Sequence, residues 1–137
     1  MIYLDTCAVA KLARHERESE ALFDWLDLRE GESLVSSVLL DVELERALRR
    51  VDPDALPRIP RILSGISRIE LTGTIRASAG AYRDPLLRSL DAIHLATAQT
   101  AAEQTGVELT AFVTYDKRLI TAARAEGLGV VHPGARY

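Results

Sequence analysis

Short apolar runs alternate along the chain with longer segments in which apolar residues recur at helical spacing. Such runs are typical of strands that are buried on both faces of a parallel sheet. The predicted strands are Ile2-Tyr3-Leu4, Leu34-Val35, a run around Ile66, Ile69 and Leu71, Ala111-Phe112-Val113-Thr114, and Val130-Val131. Strands that alternate with helices form sheets covered by helices on both faces. The pattern therefore predicts a three-layer α/β/α fold with a mostly parallel central sheet of four to five strands.

Helices are predicted over residues 6–28, 38–51, 72–82, 89–104 and 116–126, with a further short one after the prolines at 53, 57 and 60. Ser36 and Ser37 are expected to cap the second helix, because short hydroxyl side chains accept hydrogen bonds from free backbone N–H groups. The 89–104 helix is rich in alanine and apolar nearly all round, which predicts that it is buried.

Length and composition narrow the class of protein. A chain of 137 residues is expected to form a single domain over 1–137. Cys7 is the only cysteine, which excludes an internal disulfide and suits a reducing cytoplasm. No apolar stretch approaches the roughly 18 residues of a membrane span, so no membrane association is expected. Aromatic residues make up 5% of the chain, which disfavours modules that hold single-stranded RNA by base stacking.

Charge is unevenly distributed. Residues 15–45 contain ten acidic residues and two arginines, whereas residues 46–88 contain nine arginines and four acidic residues. A basic stretch in a chain with a net charge of −3 suits a phosphate-binding surface. A solvated helix face explains the same pattern, so charge alone leaves both interpretations open.

Carboxylates follow two of the predicted strands. Asp5 and Asp116 stand at carboxyl ends of strands, where sites form in open α/β sheets, and Asp91 lies in the first turn of the buried helix. Each also has a local alternative, because Asp5 and Asp116 suit helix N-caps and Asp91 suits the positive end of a helix dipole. Glu43 and Asp41 lie roughly 80° from the apolar centre of their helix on opposite sides, so helical spacing does not choose between them.

Carboxylates that converge on one cleft would repel one another unless a cation held them. Oxygen-only ligands suit Mg²⁺ or Mn²⁺ better than zinc. Such a cation reverses the sign of an acidic pocket and lets it accept a phosphate group.

Four short motifs follow one another along the chain. They are Ile2-Tyr3-Leu4-Asp5-Thr6, Ser36-Ser37 leading to Val42-Glu43-Leu44-Glu45-Arg46-Ala47, Arg88-Ser89-Leu90-Asp91-Ala92-Ile93-His94-Leu95-Ala96, and Phe112-Val113-Thr114-Tyr115-Asp116-Lys117-Arg118-Leu119. In this order and spacing they resemble the PIN-domain ribonucleases, and within them the VapC-type toxins of bacterial toxin–antitoxin pairs. The resemblance extends to about Pro133 and implies the three-layer PIN-like fold.

The family's acidic positions match this chain one at a time. Asp5 resembles the first metal ligand and Asp91 the third. Glu43, rather than Asp41, stands in the Val-Glu-Leu-x-Arg-Ala setting of the family glutamate. Asp116 resembles the fourth acidic residue. The resemblance thus assigns catalysis and metal binding to Asp5, Glu43, Asp91 and Asp116.

Other positions are assigned supporting roles or none. Thr6 and Thr114 resemble the hydroxyl residues that orient carboxylates or a water. Cys7 stands where the family often has serine, and we interpret it as a small apolar residue without a catalytic role. His94 is interpreted as a packed histidine with a hydrogen bond nearby. The candidates for contacts with the RNA backbone are Arg46, Arg49, Arg50, Arg83 and Arg88.

The resemblance implies an endoribonuclease toxin that uses Mg²⁺ (or Mn²⁺) and no nucleotide cofactor. A metal-activated water would hydrolyse phosphodiesters in structured RNA, such as loops of tRNA or rRNA, and leave a 5′-phosphate and a 3′-hydroxyl. The implied partners are a cognate VapB-type antitoxin protein and a second copy of the chain in a homodimer.

Three alternatives belong to other classes. A haloacid-dehalogenase-like phosphatase needs a second acid two residues after the first, where this chain has Cys7. A response-regulator receiver needs an acidic pair in the first loop, which is missing here. A catalytically silent PIN-fold RNA-binding or regulatory protein is the remaining alternative.

Overall fold

Five short strands form one fully parallel sheet in the computed structural model, which describes residues 1–137. The strands are β1 (Ile2–Leu4), β2 (Leu34–Ser37), β3 (Ser67–Ile69), β4 (Ala111–Val113) and β5 (Val130–Val131). Their order across the sheet is β3-β2-β1-β4-β5, and every neighbouring pair is parallel. Strand β1 is central, and the chain leaves it first toward β2 and later returns on its other side as β4. Such a switch point opens a crevice beyond the carboxyl ends of the strands.

Seven α-helices and one 3₁₀ helix, Pro53–Arg58, accompany the sheet. The α-helices are α1 (Thr6–Ala13), α2 (Ser19–Asp27), α3 (Leu40–Val51), α4 (Ile59–Ser64), α5 (Gly73–Ala81), α6 (Ser89–Thr105) and α7 (Lys117–Ala125). None of these helices combines the length and the apolar character needed to cross a bilayer.

Two apolar cores lie on opposite faces of the sheet. Alternation along β1 sends Ile2 and Leu4 into one core, with Leu44 of α3, and Tyr3 into the other, with Phe112 and Leu95. Full burial of each leucine contributes roughly 1.5–3 kcal/mol to folding. Helices on both faces confirm the predicted three-layer α/β/α fold.

The single helix predicted over residues 6–28 is wrong, because the chain forms two helices there. Helix α1 ends at Ala13 and α2 begins at Ser19. In the turn between them, the Ser19 hydroxyl donates to the carbonyl of Lys11 at 2.7 Å. The Lys11 ammonium donates to the carboxylates of Glu16 and Glu18, each at 2.9 Å. These contacts fold the polar segment back onto α1 and interrupt the helix.

The predicted N-cap for the second long helix is also wrong. Ser36 and Ser37 belong to β2, and α3 begins at Leu40 without a side-chain cap. Ser36 donates to the carbonyl of Leu4 at 2.6 Å, while Ser37 accepts from the N–H of Leu39 at 3.1 Å. The serine hydroxyls therefore stabilise the end of β2 rather than the first turn of α3.

Candidate active site

Asp5 lies directly after the central strand and is buried. Its Oδ2 accepts from the Thr114 hydroxyl at 2.6 Å, and its Oδ1 accepts from the Cys7 thiol at 2.9 Å and the Ala8 N–H at 3.1 Å. The hydrogen bond from Ala8 caps α1. Asp5 is therefore both the N-cap of α1 and an acidic residue at the end of β1. Burial raises the pKa of Asp5, while His94 and these hydrogen bonds oppose the rise.

Glu43 and Asp41 make different contacts, which distinguish the two residues. The Glu43 Oε1 accepts from Nε2 of His94 at 2.7 Å and from the Thr6 hydroxyl at 3.0 Å. Asp41 instead forms an ion pair of 2.8 Å with Arg68 at the edge of the sheet. The structure therefore turns Glu43, and not Asp41, toward the end of the central strand.

Asp91 and Asp116 complete the acidic set from two other helices. Asp116 is the N-cap of α7 and accepts from the Leu119 N–H at 2.9 Å. Asp91 lies in the first turn of α6. Burial, and next the charges of Asp116, Asp5 and Glu43, raise the pKa of Asp91 to about 6 despite the opposing effect of His94.

All four carboxylates line one cavity of about 370 Å³ at the switch point of the sheet. The other lining residues include Thr6, Cys7, Lys11, Glu16, Arg50 and His94. No three acidic, histidine or cysteine side chains stand in a ready-made metal-binding cluster. Asp5, Glu43 and Asp116 are instead each held by separate hydrogen bonds. Five carboxylates against the two cations Lys11 and Arg50 leave the cavity with an excess of negative charge.

The thiol of Cys7 makes polar contacts, so its interpretation as a merely apolar residue is wrong. Besides donating to Asp5, its Sγ accepts from the Tyr115 N–H at 3.2 Å and lies 3.7 Å from the Thr114 hydroxyl. Burial, followed by the charge of Asp5, raises the pKa of Cys7 well above its usual range. The group therefore stays a neutral thiol that helps to hold Asp5.

Three of the five candidate arginines lie beside the carboxylates. Arg46, Arg49 and Arg50 line a second cavity of about 530 Å³ along α3, together with Thr6 and Glu43. Arg50 lines both cavities and so joins the basic surface to the acidic one.

The other two candidate arginines, Arg83 and Arg88, line neither the acidic cavity nor the cavity along α3. Arg83 lines a separate cavity with Tyr82 and residues of α6 and α7, and Arg88 lines neither site cavity.

Two residues that sequence reasoning did not single out also belong to this region. Tyr3 places its hydroxyl 2.7 Å from Nδ1 of His94, inside the core. Lys11 lines the acidic cavity and lies 4.7 Å from the centre of the Tyr115 ring. The one available signal for Tyr3 was its phenol hydroxyl in a fully buried strand, because a buried polar group needs a partner.

Comparison with known proteins identifies the family of the chain. The sequence model of the PIN domain family matches residues 2–125. Ribonuclease VapC35 of Mycobacterium tuberculosis is 54% identical over 134 residues, which cover 98% of each chain. Ribonuclease VapC47 of the same species is 42% identical over 138 residues, again with 98% of each chain covered. The chain belongs to the PIN-domain family and, within it, to the VapC group.

Solved structures show the same fold at low sequence identity. VapC20 of Mycobacterium tuberculosis, described as a sarcin–ricin loop cleaving toxin, superposes with a TM-score of 0.68 at 16% identity, covering 97% of this chain and 100% of that one. FitAcB from Neisseria gonorrhoeae gives 0.65 at 20% identity, with coverages of 97% and 98%.

Proposed function

We propose that this chain, as one domain over residues 1–137, is a Mg²⁺- or Mn²⁺-dependent endoribonuclease and the toxin of a VapBC-type toxin–antitoxin pair. The observation that carries the proposal is the convergence of Asp5, Glu43, Asp91 and Asp116 on one cavity. A chain that is 54% identical over 98% of its length to a protein named as a ribonuclease supports the same activity.

The donor set of the cavity fits a hard divalent cation. Its acidic ligands offer only oxygen, which Mg²⁺ and Mn²⁺ prefer. Asp91 has no hydrogen-bond or ion-pair partner, and its pKa of about 6 reflects burial together with three like charges nearby. We assign the cation to Asp5, Glu43 and Asp91, with Asp116 as the fourth, outermost acid. When bound, it supplies charge neutralisation at a phosphate and a lowered pKa for water.

The protein's own residues orient the reaction. Thr114 and Cys7 hold the Asp5 carboxylate, and Thr6 holds Glu43, so the two acids are restrained before substrate arrives. Water, rather than the ribose 2′-hydroxyl, would be the nucleophile, and the products would then carry a 5′-phosphate and a 3′-hydroxyl. A 2′,3′-cyclic phosphate would contradict this mechanism.

Arg46, Arg49 and Arg50 would bind the RNA backbone next to the scissile phosphate. Guanidinium groups bind phosphate oxygens through paired hydrogen bonds. Because Arg50 borders both cavities, a backbone that follows α3 would lead one phosphate to the carboxylates. The scarcity of aromatic residues favours recognition through backbone and shape, which suits structured RNA such as tRNA or rRNA loops.

An antitoxin partner and a homodimer complete the proposal. A cavity with an excess of negative charge suits a basic side chain from a VapB-type antitoxin, which would hold the enzyme inactive. Co-expression with the neighbouring antitoxin gene should yield a complex without nuclease activity. Sedimentation of the free chain should give twice the 15.1 kDa mass of the monomer.

The metal assignment is tested by binding of Mn²⁺, followed by electron paramagnetic resonance. Wild-type protein should bind Mn²⁺, and Asp91→Asn should bind it at least tenfold more weakly. Equal binding by the two proteins would remove Asp91 from the ligand set. A folded, Mn²⁺-loaded wild type that leaves RNA intact would point to the catalytically silent alternative.

A further inference from the structure

The carboxylate of Glu43 is held through one of its two oxygens. Both the His94 ring and the Thr6 hydroxyl contact Oε1, at 2.7 Å and 3.0 Å. Oε2 has no hydrogen-bond partner in the protein, whereas every buried side-chain oxygen of the chain has at least one. Oε2 is therefore exposed to the open space of the cavities that Glu43 lines.

The contact between His94 and Glu43 fixes where the proton of the ring lies. A carboxylate accepts hydrogen bonds and donates none, so Nε2 of His94 is the donor. In a neutral imidazole the other nitrogen is then an acceptor, which requires a donor beside it. The Tyr3 hydroxyl, 2.7 Å from Nδ1, is that donor.

The Tyr3 side chain is held rigidly and begins the chain of hydrogen bonds that continues through His94 to Glu43. Its ring is fully buried and stacks on Phe112 with centroids 5.2 Å apart and planes within 3°. A phenol hydroxyl can donate its proton to an unprotonated ring nitrogen, so Tyr3 is suited to this contact. The chain thus runs from the rigid core through His94 to the cavity.

We propose that Tyr3 and His94 are positioning residues that fix the Nε2–H tautomer of the ring and hold Glu43 with Oε2 directed at the acidic cavity. This inference deepens the proposed function and rests on it for its purpose. In this role both residues act through Glu43 and not directly on the RNA. The closest analogy in metal sites is the outer partner that orients a ligand, whose loss typically costs 10–100-fold in metal affinity.

The test begins with Tyr3→Phe, which keeps the ring and its stacking and removes one hydroxyl. Mn²⁺ affinity should fall about tenfold, and the ¹⁵N spectrum of the His94 ring should change from one tautomer to a mixture. Tyr82→Phe is the matched control, because its hydroxyl is bonded to Gln99 away from the acidic cavity. That control should match the wild type in both measurements.

A second pair of variants separates positioning from core packing. His94→Gln retains an amide donor toward Glu43 and should recover part of the affinity that His94→Leu loses. In a Glu43→Gln background, Tyr3→Phe should produce no further loss of Mn²⁺ affinity, because its effect passes through Glu43. A purely structural role predicts a lower melting temperature and an equal loss of affinity in both backgrounds.

Failure of the inference is distinguishable from failure of the proposed function. An unchanged Mn²⁺ affinity and an unchanged His94 tautomer in Tyr3→Phe would overturn the positioning role. A wild type that binds no Mn²⁺ would refute the metal-dependent function instead. In that case the ¹⁵N spectra of wild type and Tyr3→Phe would still test the inference. Loss of the single His94 tautomer in Tyr3→Phe would support the positioning role, and identical spectra of the two proteins would overturn it.

Discussion

The Thr114 hydroxyl donates to Oδ2 of Asp5 at 2.6 Å, and this hydrogen bond joins the carboxyl ends of the two adjacent strands β4 and β1. Both groups are buried, and the same threonine oxygen accepts from the N–H of Asp116 at 3.2 Å. One side chain therefore connects two of the four acidic residues. Its removal should affect stability and activity together.

Thr114→Val keeps the shape of the side chain and removes its hydrogen bonds. Because Asp5 is left buried with one partner fewer, the free energy of unfolding should fall by about 1–3 kcal/mol. RNA cleavage should also fall, since Asp5 loses its restraint. Thr114→Ser keeps the hydroxyl and should retain most of the activity. Denaturant titration and a cleavage assay measure the two effects, and equal activity of the Val and Ser variants would contradict the orienting role.

Glu43→Gln and Asp41→Asn form a matched pair of variants two residues apart on α3, on opposite sides of its apolar face. Glu43 lines the acidic cavity, whereas Asp41 is paired with Arg68. Glu43→Gln should lower the cleavage rate at least a hundredfold, and Asp41→Asn should change it less than twofold. The rates are compared at saturating Mn²⁺. Similar losses in the two variants would show that the charge of the helix, and not the position of Glu43, matters.

Arg50→Ala should weaken RNA binding and reduce its dependence on salt. Loss of one phosphate contact lowers the slope of log K against log salt by about 0.7–1. Arg61→Ala removes the same charge from a residue that lines neither site cavity, and it serves as the control. Binding is measured by fluorescence anisotropy in an Asp5→Asn background. An unchanged slope in Arg50→Ala would place Arg50 away from the phosphates.

The raised pKa of Asp91 predicts a specific pH dependence of stability without metal. The folded protein holds a proton on Asp91 up to about pH 6, whereas the unfolded chain releases it near the ordinary value of 3.8. Since the folded state binds more protons in this window, stability falls as pH rises from about 4 through 6. The raised pKa of Asp5 acts in the same direction.

Melting temperatures in EDTA should therefore decline between pH 4 and pH 7, and Asp91→Asn should show a shallower decline. Mn²⁺ at pH 7 should restore the melting temperature of the wild type, because a cation favours the charged carboxylates. Parallel pH profiles for the two proteins would contradict the assigned environment of Asp91.

The fold follows from local sequence, whereas parts of the site depend on distant contacts. Short apolar runs such as Ile2-Tyr3-Leu4 predict buried strands, and the order of strands and helices then predicts a parallel sheet with Asp5 and Asp116 at its carboxyl edge. The sequence pattern does not reveal the break between α1 and α2, because Leu22 and Leu26 continue the helical spacing of apolar residues. The turn that Lys11 and Ser19 stabilise prevents one continuous helix from forming there.

Glu43 and Asp41 illustrate the same limit within the site. Both lie at the boundary of the apolar face of α3, so helical spacing treats them alike. Arg68, on the edge strand β3, engages Asp41, while His94, from α6, engages Glu43. Contacts between residues far apart in the chain make this choice, and a local pattern does not contain them.

The most direct test of the nuclease compares wild type and Asp5→Asn, each purified free of any partner. Both are incubated with total cellular RNA in Mg²⁺, in Mn²⁺ and in EDTA, and new 5′-phosphate ends are then sequenced. Asparagine can still cap α1, so equal melting temperatures verify that the variant is folded. Discrete new ends that require metal and disappear in Asp5→Asn are the predicted result. Identical ends from both proteins, or ends that persist in EDTA, would contradict a metal-dependent nuclease centred on Asp5.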